Sequence, residues 1–239
     1  MDLSTIRGYV KDYMIDVPST VSDTLIDAWI NEGLRKAETR HNFRYMEAQD
    51  AFTTVVSTRK LGDKPDRWKE LRAWPWYLRD DGSDRQVLWA PSASDMLTQF
   101  DDADTDDDGA PQFVLETEDE LHVYPYPNGE SDYSDGEYRL KIPYWKRSAD
   151  LSQDTDGGAV NPLIGLAPWY PIWYAIHEGL LLTRDEQRAG IYLNKAEQEF
   201  KLAVGRDKRA RLPDRMTLVP RTGVYGNSLN PRNRRGRRF

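Results

Sequence analysis

An α+β fold is predicted: a helical bundle from the N- and C-terminal helices, a small antiparallel β module inserted between them, and an extended C-terminal arm. Three observations predict it. Apolar residues recur at helical spacing over residues 1–50 and again over 168–203. Between these stretches, short β-branched and aromatic runs are separated by turn dipeptides. Beyond Leu212-Pro213 the patterning fades into Pro, Gly and Arg. The expected bounds are 1–50 plus 160–212 for the bundle, 51–147 for the β module, 148–159 for a linker and 213–239 for the arm.

Each element has its own signal. In the first helix Leu3, Ile6, Val10 and Tyr13 or Met14 share a face, and Pro18 closes the segment. Thr20 or Ser22 can N-cap the second helix, whose stripe is Leu25, Ile26, Trp29, Ile30, Leu34 and Ala37. Asp27, Asn31, Glu32, Arg35 and Glu38 fall opposite and read as its solvated face. Strands are expected at Phe52–Thr58, Trp68–Leu78, Val87–Trp89, Phe113–Leu115, Leu121–Tyr124 and Tyr138–Trp145. Gly62-Asp63, Asp81-Gly82, Asn128-Gly129 and Asp135-Gly136 supply turn chemistry between them. Five of the eight Trp fall in this region, and rings of that size can fill a small sheet's core. Helix resumes at Pro168, a residue suited to a first turn, with Trp169, Ile172, Trp173, Ile176 and Leu180 on one face. Thr183-Arg184-Asp185-Glu186 fits a capping box and opens a last helix carrying Ala189, Tyr192, Leu193, Ala196 and Phe200. Neither pair of helices has an obvious partner except the other pair.

Composition removes several classes of function. The 239 residues suffice for one large or two modest domains with a buried core. Apolar residues make up 38%, charged residues 31%, and mean hydropathy is -0.78, with no apolar run long enough to span a membrane. Met1-Asp2-Leu3-Ser4 carries no secretory signal pattern. The lack of Cys excludes disulfides, thiol nucleophiles and Cys-based metal sites. No Walker or dinucleotide-binding glycine motif, nucleophile elbow, zinc-protease or kinase signature is present, so no cofactor is expected.

The remaining candidates for chemistry read as structural. His41 ends the second helix, where an imidazolium is favourable, His122 faces solvent on a strand, and His177 follows the third helix. Asp104-Thr105-Asp106-Asp107-Asp108-Gly109 opens like a calcium-binding loop, but the twelfth position is Leu115 and Glu116 comes one place late. It reads as a solvated acidic loop. A pair such as Glu116 and Glu118 arises by chance among 40 acids and is not a catalytic constellation.

Charge divides the chain. The net charge of -7 hides 12 basic and 2 acidic residues in 201–239, which leaves 21 basic and 38 acidic residues in the first 200. An acidic body with a basic tail implies a separate partner for the tail. The tail is Arg-only at its end, Arg232-x-Arg234-Arg235-x-Arg237-Arg238, a choice that favours bidentate contacts to carboxylate, phosphate or carbonyl groups. Phe239 adds an apolar plug that phosphate binding leaves unexplained, so a protein groove is the better fit. Alone in water this segment is expected to be disordered, and its 27 residues reach about 90 Å when extended.

Several short motifs in succession, from about Ser22 to Phe200, resemble the adaptor (head-to-tail connector) proteins of tailed, especially short-tailed, bacteriophages. Leu25 to Glu32 followed by Arg40-His41-Asn42-Phe43 looks like that family's second helix and its exit. Leu71-Arg72, Gly109-Ala110-Pro111-Gln112-Phe113 and Leu121-His122-Val123-Tyr124-Pro125 look like its strands. Tyr138 to Tyr144, and Leu151-Ser152 to Asn161-Pro162, complete the order. The resemblance implies a structural virion protein of the head–tail neck, made in the host bacterial cytoplasm, and not an enzyme. It implies a ring of copies of the chain, commonly twelve, docked beneath the portal ring and meeting tail or nozzle proteins. Genome DNA would pass through its channel during ejection without specific binding, and no membrane is involved. The arm is then the expected portal contact, through Arg221, Tyr225, Arg232, Arg234, Arg235, Arg237, Arg238 and Phe239. Alternatives from other classes are a virion-associated cell-wall or capsule hydrolase and DNA binding through the tail.

Overall fold

A computed structural model describes residues 1–14, 21–78, 84–90, 92, 94, 96, 108–129, 136–152 and 161–211. Helix α1 spans Leu3–Tyr13 and buries Leu3, Ile6 and Val10, with Met14 buried just beyond it. Asp2 caps it by accepting from the Thr5 N–H at 2.7 Å. Helix α2 spans Asp23–Arg40, and Ser22 is its N-cap, accepting from the Leu25 N–H at 3.3 Å. Arg7 pins the two helices together through Asp27, its Nε donating to Oδ1 at 2.8 Å.

Helix α3 is a single short turn, Pro162–Leu166, that the periodicity did not single out. Helix α4, Tyr170–Leu182, packs against α1, α2 and the last helix, α5, Glu186–Arg211. Tyr170, Pro171, Ile172, Tyr174, Ala175, Ile176, Gly179 and Leu180 are all buried, so α4 is enclosed on most sides rather than along one stripe. Two glycines let its neighbours approach: a Cβ on Gly33 of α2 would lie 2.8 Å from the Tyr174 ring, and one on Gly179 would strike Met14. The capping-box reading shifts by two residues. Asp185 accepts from the Arg188 N–H at 3.1 Å and starts α5, whereas the Thr183 hydroxyl turns back to the Leu180 carbonyl at 2.9 Å. Arg184, at φ 62°, separates the two helices.

The eleven strands among the described residues are β1 Glu47–Thr53, β2 Lys60–Asp63, β3 Trp68–Leu71, β4 Trp76–Leu78, β5 Asp84–Gln86, β6 Leu88–Trp89, β7 Asp108–Gly109, β8 Phe113–Glu116, β9 Glu120–Tyr124, β10 Tyr126–Pro127 and β11 Arg139–Lys146. Strand β11 is the spine of the first sheet. One edge pairs with β1 from Glu47↔Trp145 to Thr53↔Arg139, and the other is shared by β3 and β4. The second sheet runs β2-β9-β8-β6. Residues from both sheets, including Leu140, Ile142 and Tyr77 from one and Leu61, Leu121 and Val123 from the other, share one apolar core. Fully burying each such Leu or Val contributes about 1.5–3 kcal/mol.

Four details of the strands differ from the sequence expectation, the first being that the expected Trp68–Leu78 strand is two, β3 and β4, with no strand over 72–75. The first strand lies earlier than Phe52–Thr58, because pairing with β11 recruits the polar, largely exposed Glu47–Asp50. Gly62 is no turn: it sits at a register shift in β2 where Phe52 lies 3.2 Å from its would-be Cβ. Two two-residue parallel ladders, β6–β8 and β7–β10, join the otherwise antiparallel pairings.

Candidate interaction site at the root of the arm

The arm residues Arg221, Tyr225, Arg232, Arg234, Arg235, Arg237, Arg238 and Phe239 lie outside the described residues, and so does Asp101–Asp107 of the acidic run. The described chain runs to Arg211 at the end of α5, just before the residues expected to form the arm. That end carries Lys208, Arg209 and Arg211 in its last turn, cations that suit a helix C-terminus.

The root is built around Asp207, which is 2% exposed. Its Oδ1 accepts from the Arg44 backbone N–H at 2.7 Å. Its Oδ2 lies 3.1 Å from His41 Nε2 and 3.1 Å from Arg211 Nε. Arg44 Nη1 donates in turn to the Ala210 carbonyl at 3.0 Å, and Arg211 donates to the Asn42 carbonyl. The guanidiniums of Arg72 and Arg211 both lie over the Trp145 ring, at 5.7 and 5.4 Å from its centroid. Trp145 comes from β11 but belongs to the helical core with Phe43, Met46 and Leu151. The end of α5, the exit of α2 and the end of β11 are therefore joined at one point.

The supposed solvent face of α2 is the second part of this junction and corrects the helical-wheel reading. Asn31 and Glu38 are buried, at 9% and 2%. Asn31 makes a two-way clamp on Leu151, accepting from its N–H at 2.8 Å and donating to its carbonyl at 3.1 Å. Arg35 Nε donates to Asp150 at 3.0 Å. Glu38 accepts from the Ser148 N–H at 3.0 Å, from Asn161 Nδ2 at 3.1 Å and from the Tyr45 hydroxyl at 3.2 Å. Positions i, i+4 and i+7 of α2 thus grip the chain as it leaves the sheet, and Glu38 also holds Asn161 where the chain re-enters the helices. The spacing of Asn31 and Glu38, one heptad apart and bordering the apolar stripe, was the available signal. Charge alone could not show that a strap of chain would cover them.

Lys69 of β3 closes the junction by donating to the Glu38 carbonyl, to Asn42 Oδ1 at 2.6 Å and to the Thr39 carbonyl at 3.3 Å, so a sheet lysine caps α2. Burial holds its ammonium below the ordinary lysine value. Burial, reinforced by Glu38, raises the Tyr45 phenol. On the outer side of α2 and α5, the Arg40 guanidinium bonded to Glu197 holds that carboxyl below its ordinary value.

The other singled-out residues have structural partners. His122 Nε2 lies 3.1 Å from Glu120 Oε2, and His177 Nδ1 lies 3.0 Å from the Ala189 carbonyl. Glu116 accepts from Trp68 Nε1 at 2.9 Å and from Lys64 at 2.7 Å. Leu115, at the twelfth position of the calcium-like pattern, is buried in β8, and Asp108 pairs with Tyr126. Among the described residues, no three His, Asp or Glu side chains are grouped to hold a metal ion.

Several motifs that carry the resemblance meet here: Arg40-His41-Asn42-Phe43, Leu71-Arg72, Leu151 and Asn161 all lie at or beside this junction. Residues 1–221 match the family described as SU10 adaptor protein. The chain belongs to that adaptor family. It is a structural head-to-tail adaptor of a bacteriophage and not an enzyme, and its place is the neck of the virion. The hydrolase reading is therefore set aside. The match ends at Arg221, before the Arg232–Phe239 run. No curated protein matches the chain. No helix among the described residues is long and apolar enough to cross a membrane.

Proposed function

We propose that this adaptor forms a ring, twelve copies in number, on the portal and hands the neck on to tail or nozzle proteins. The arm, residues 213–239, is the portal contact, through Arg221, Tyr225, the Arg232–Arg238 run and Phe239. The observation that supports it is the root: Asp207, Arg44 and Arg211 hold the end of α5 against the exit of α2 and against Trp145 of β11, so each arm leaves the body from a fixed point. A fixed root reduces the orientational freedom lost on docking. Ordering the arm still costs about 1–2 kcal/mol per residue in backbone entropy. Burial of Leu218, Val219, Tyr225 and Phe239, with Arg pairing, has to offset that, which makes ring formation depend on the portal. The acidic body suits a channel lining, because it repels duplex phosphates and lets the genome slide during ejection. Synthesis takes place in the host cytoplasm.

The test is a chain ending at residue 212. Its helical circular dichroism and melting should match the full chain, while attachment to genome-filled heads should be lost. Attachment at the full-length level would overturn the role of the arm.

A further inference from the structure

We propose that a basic cavity at the foot of the first sheet receives the acidic segment Asp101–Asp108 of a second copy of the chain, an inference that rests on the ring reading above. The cavity, of about 320 Å³, lies between the end of β11, the turn Arg44–Met46 and the start of α3. Tyr45, Glu47, Arg67, Lys146, Arg147 and Asn161 are among its walls. Arg67 and Arg147 are exposed and Lys146 is half-buried. None of these three cations has a carboxylate within ion-pair distance among the described residues, and the acidic side chain on the rim, Glu47, is already held by Arg72 at 2.9 Å. In a body with 38 acids to 21 bases, such a cluster of unpartnered cations stands apart.

The backbone sets this cluster up. Arg67 has φ 62°, a left-handed conformation that residues other than glycine rarely hold. The Arg147 N–H donates to the Arg67 carbonyl at 2.8 Å, which fixes the two arginines side by side. Two neighbouring guanidiniums and an ammonium fit carboxylates, the guanidiniums in bidentate fashion.

Charge complementarity names the occupant. Asp101–Asp108 holds six aspartates in eight residues, the densest acidic run in the chain. Geometry favours a second copy over the same one. Asp108 pairs with Tyr126, and the Ser57 N–H donates to the adjoining Pro127 carbonyl, which places Asp108 beyond the Thr53 end of β1. The cavity lies by Glu47 at the other end of that strand, about 20 Å away at about 3.4 Å per residue.

The experiment is charge reversal in full-length chains mixed with the portal ring, read as ring yield by native mass spectrometry. Arg67→Glu with Arg147→Glu is expected to lower the yield at least about tenfold at physiological salt. Adding Asp104→Lys and Asp106→Lys to the same chain is expected to restore it. If unaltered chains form rings and the double variant does so equally well, or the fourfold variant is not restored, this contact is overturned while the ring stands. If unaltered chains form no ring, the ring reading itself falls. Zero-length carbodiimide coupling in rings mixed from two isotopic forms gives a second measurement. Amides joining Lys146 of one copy to Asp101–Asp108 of another are expected, and links found only within one copy would overturn the proposal.

Discussion

The helical ends and the strands between them are held by different chemistry. At the helices, polar side chains are buried where chain segments cross: Asn31 and Glu38 over the 148–151 strap, Asn161 at the start of α3, Asp207 at the end of α5. In the β module, Thr54, just past β1, is the buried polar side chain among the described residues and accepts from the Tyr138 N–H at 3.0 Å. Ring contacts occur in both regions, among the strands as Trp68 stacked on Tyr144 at 4.7 Å and Tyr77 edge-on to Tyr138 at 5.3 Å, among the helices as Tyr9 against Trp169 at 5.4 Å, so the buried polar clamps are what set the helices apart. Apolar stripes bring helices together but slide easily. A buried polar group left unpaired costs about 1–3 kcal/mol, so each clamp rejects a displaced strap or a shifted helix end. The fixed geometry that an adaptor needs therefore resides at the junction, and the strands can tolerate more change.

Substitutions can break this contrast, beginning with the largest effect. Glu38→Ala strands the Ser148 N–H, the Asn161 amide and the Tyr45 hydroxyl together, and at about 1–3 kcal/mol for each buried donor left unpaired should cost about 3–5 kcal/mol in urea unfolding followed by circular dichroism. Asp207→Ala should cost about 2–3 kcal/mol, with faster hydrogen exchange at the Arg44 amide as its local signature. Gly33→Ala forces a methyl against the Tyr174 ring and should cost about 1–2 kcal/mol even after the helix-propensity gain. Gly179→Ala meets the flexible end of Met14 and should cost less. Trp68→Phe, in the strands, keeps the stack on Tyr144 and loses the bond to Glu116, for about 1 kcal/mol. If that change matched Glu38→Ala, the contrast between the two regions would fail.

The smallest effect is set by pH. Arg40 holds Glu197 below its ordinary value of 4.5, so the pair's contribution is complete above that value and is lost as pH falls through the lowered one. Both side chains are partly exposed, which limits the effect to under about 1 kcal/mol. Arg40→Gln should reduce stability slightly at pH 7 and converge with the unaltered chain in acid, as read by thermal melts across pH.

The same contrast decides what was legible in the sequence. The stripes Leu3–Ile6–Val10 and Ile26–Ile30–Leu34–Ala37 kept their period because one side of each helix meets the core. Helix α4 gave a stripe too, but its enclosure on most sides arises because α1, α2 and α5 all pack on it, which no local pattern shows. Strand β1 was misplaced because its residues are largely exposed and its pairing is dictated by β11, far along the chain. Asn31, Glu38 and Asp207 were unreadable as buried, since each depends on partners more than 100 residues away. Residues 213–239 lie outside the described residues, and the contact just before them was not legible: no local pattern joins Asp207 to Arg44.

The most direct test of the adaptor role is native mass spectrometry of the purified chain, alone and mixed with the portal ring encoded by the same phage. A single chain that becomes a stoichiometric ring on the portal is the expected result. Absence of any portal complex, with the chain folded, would contradict it.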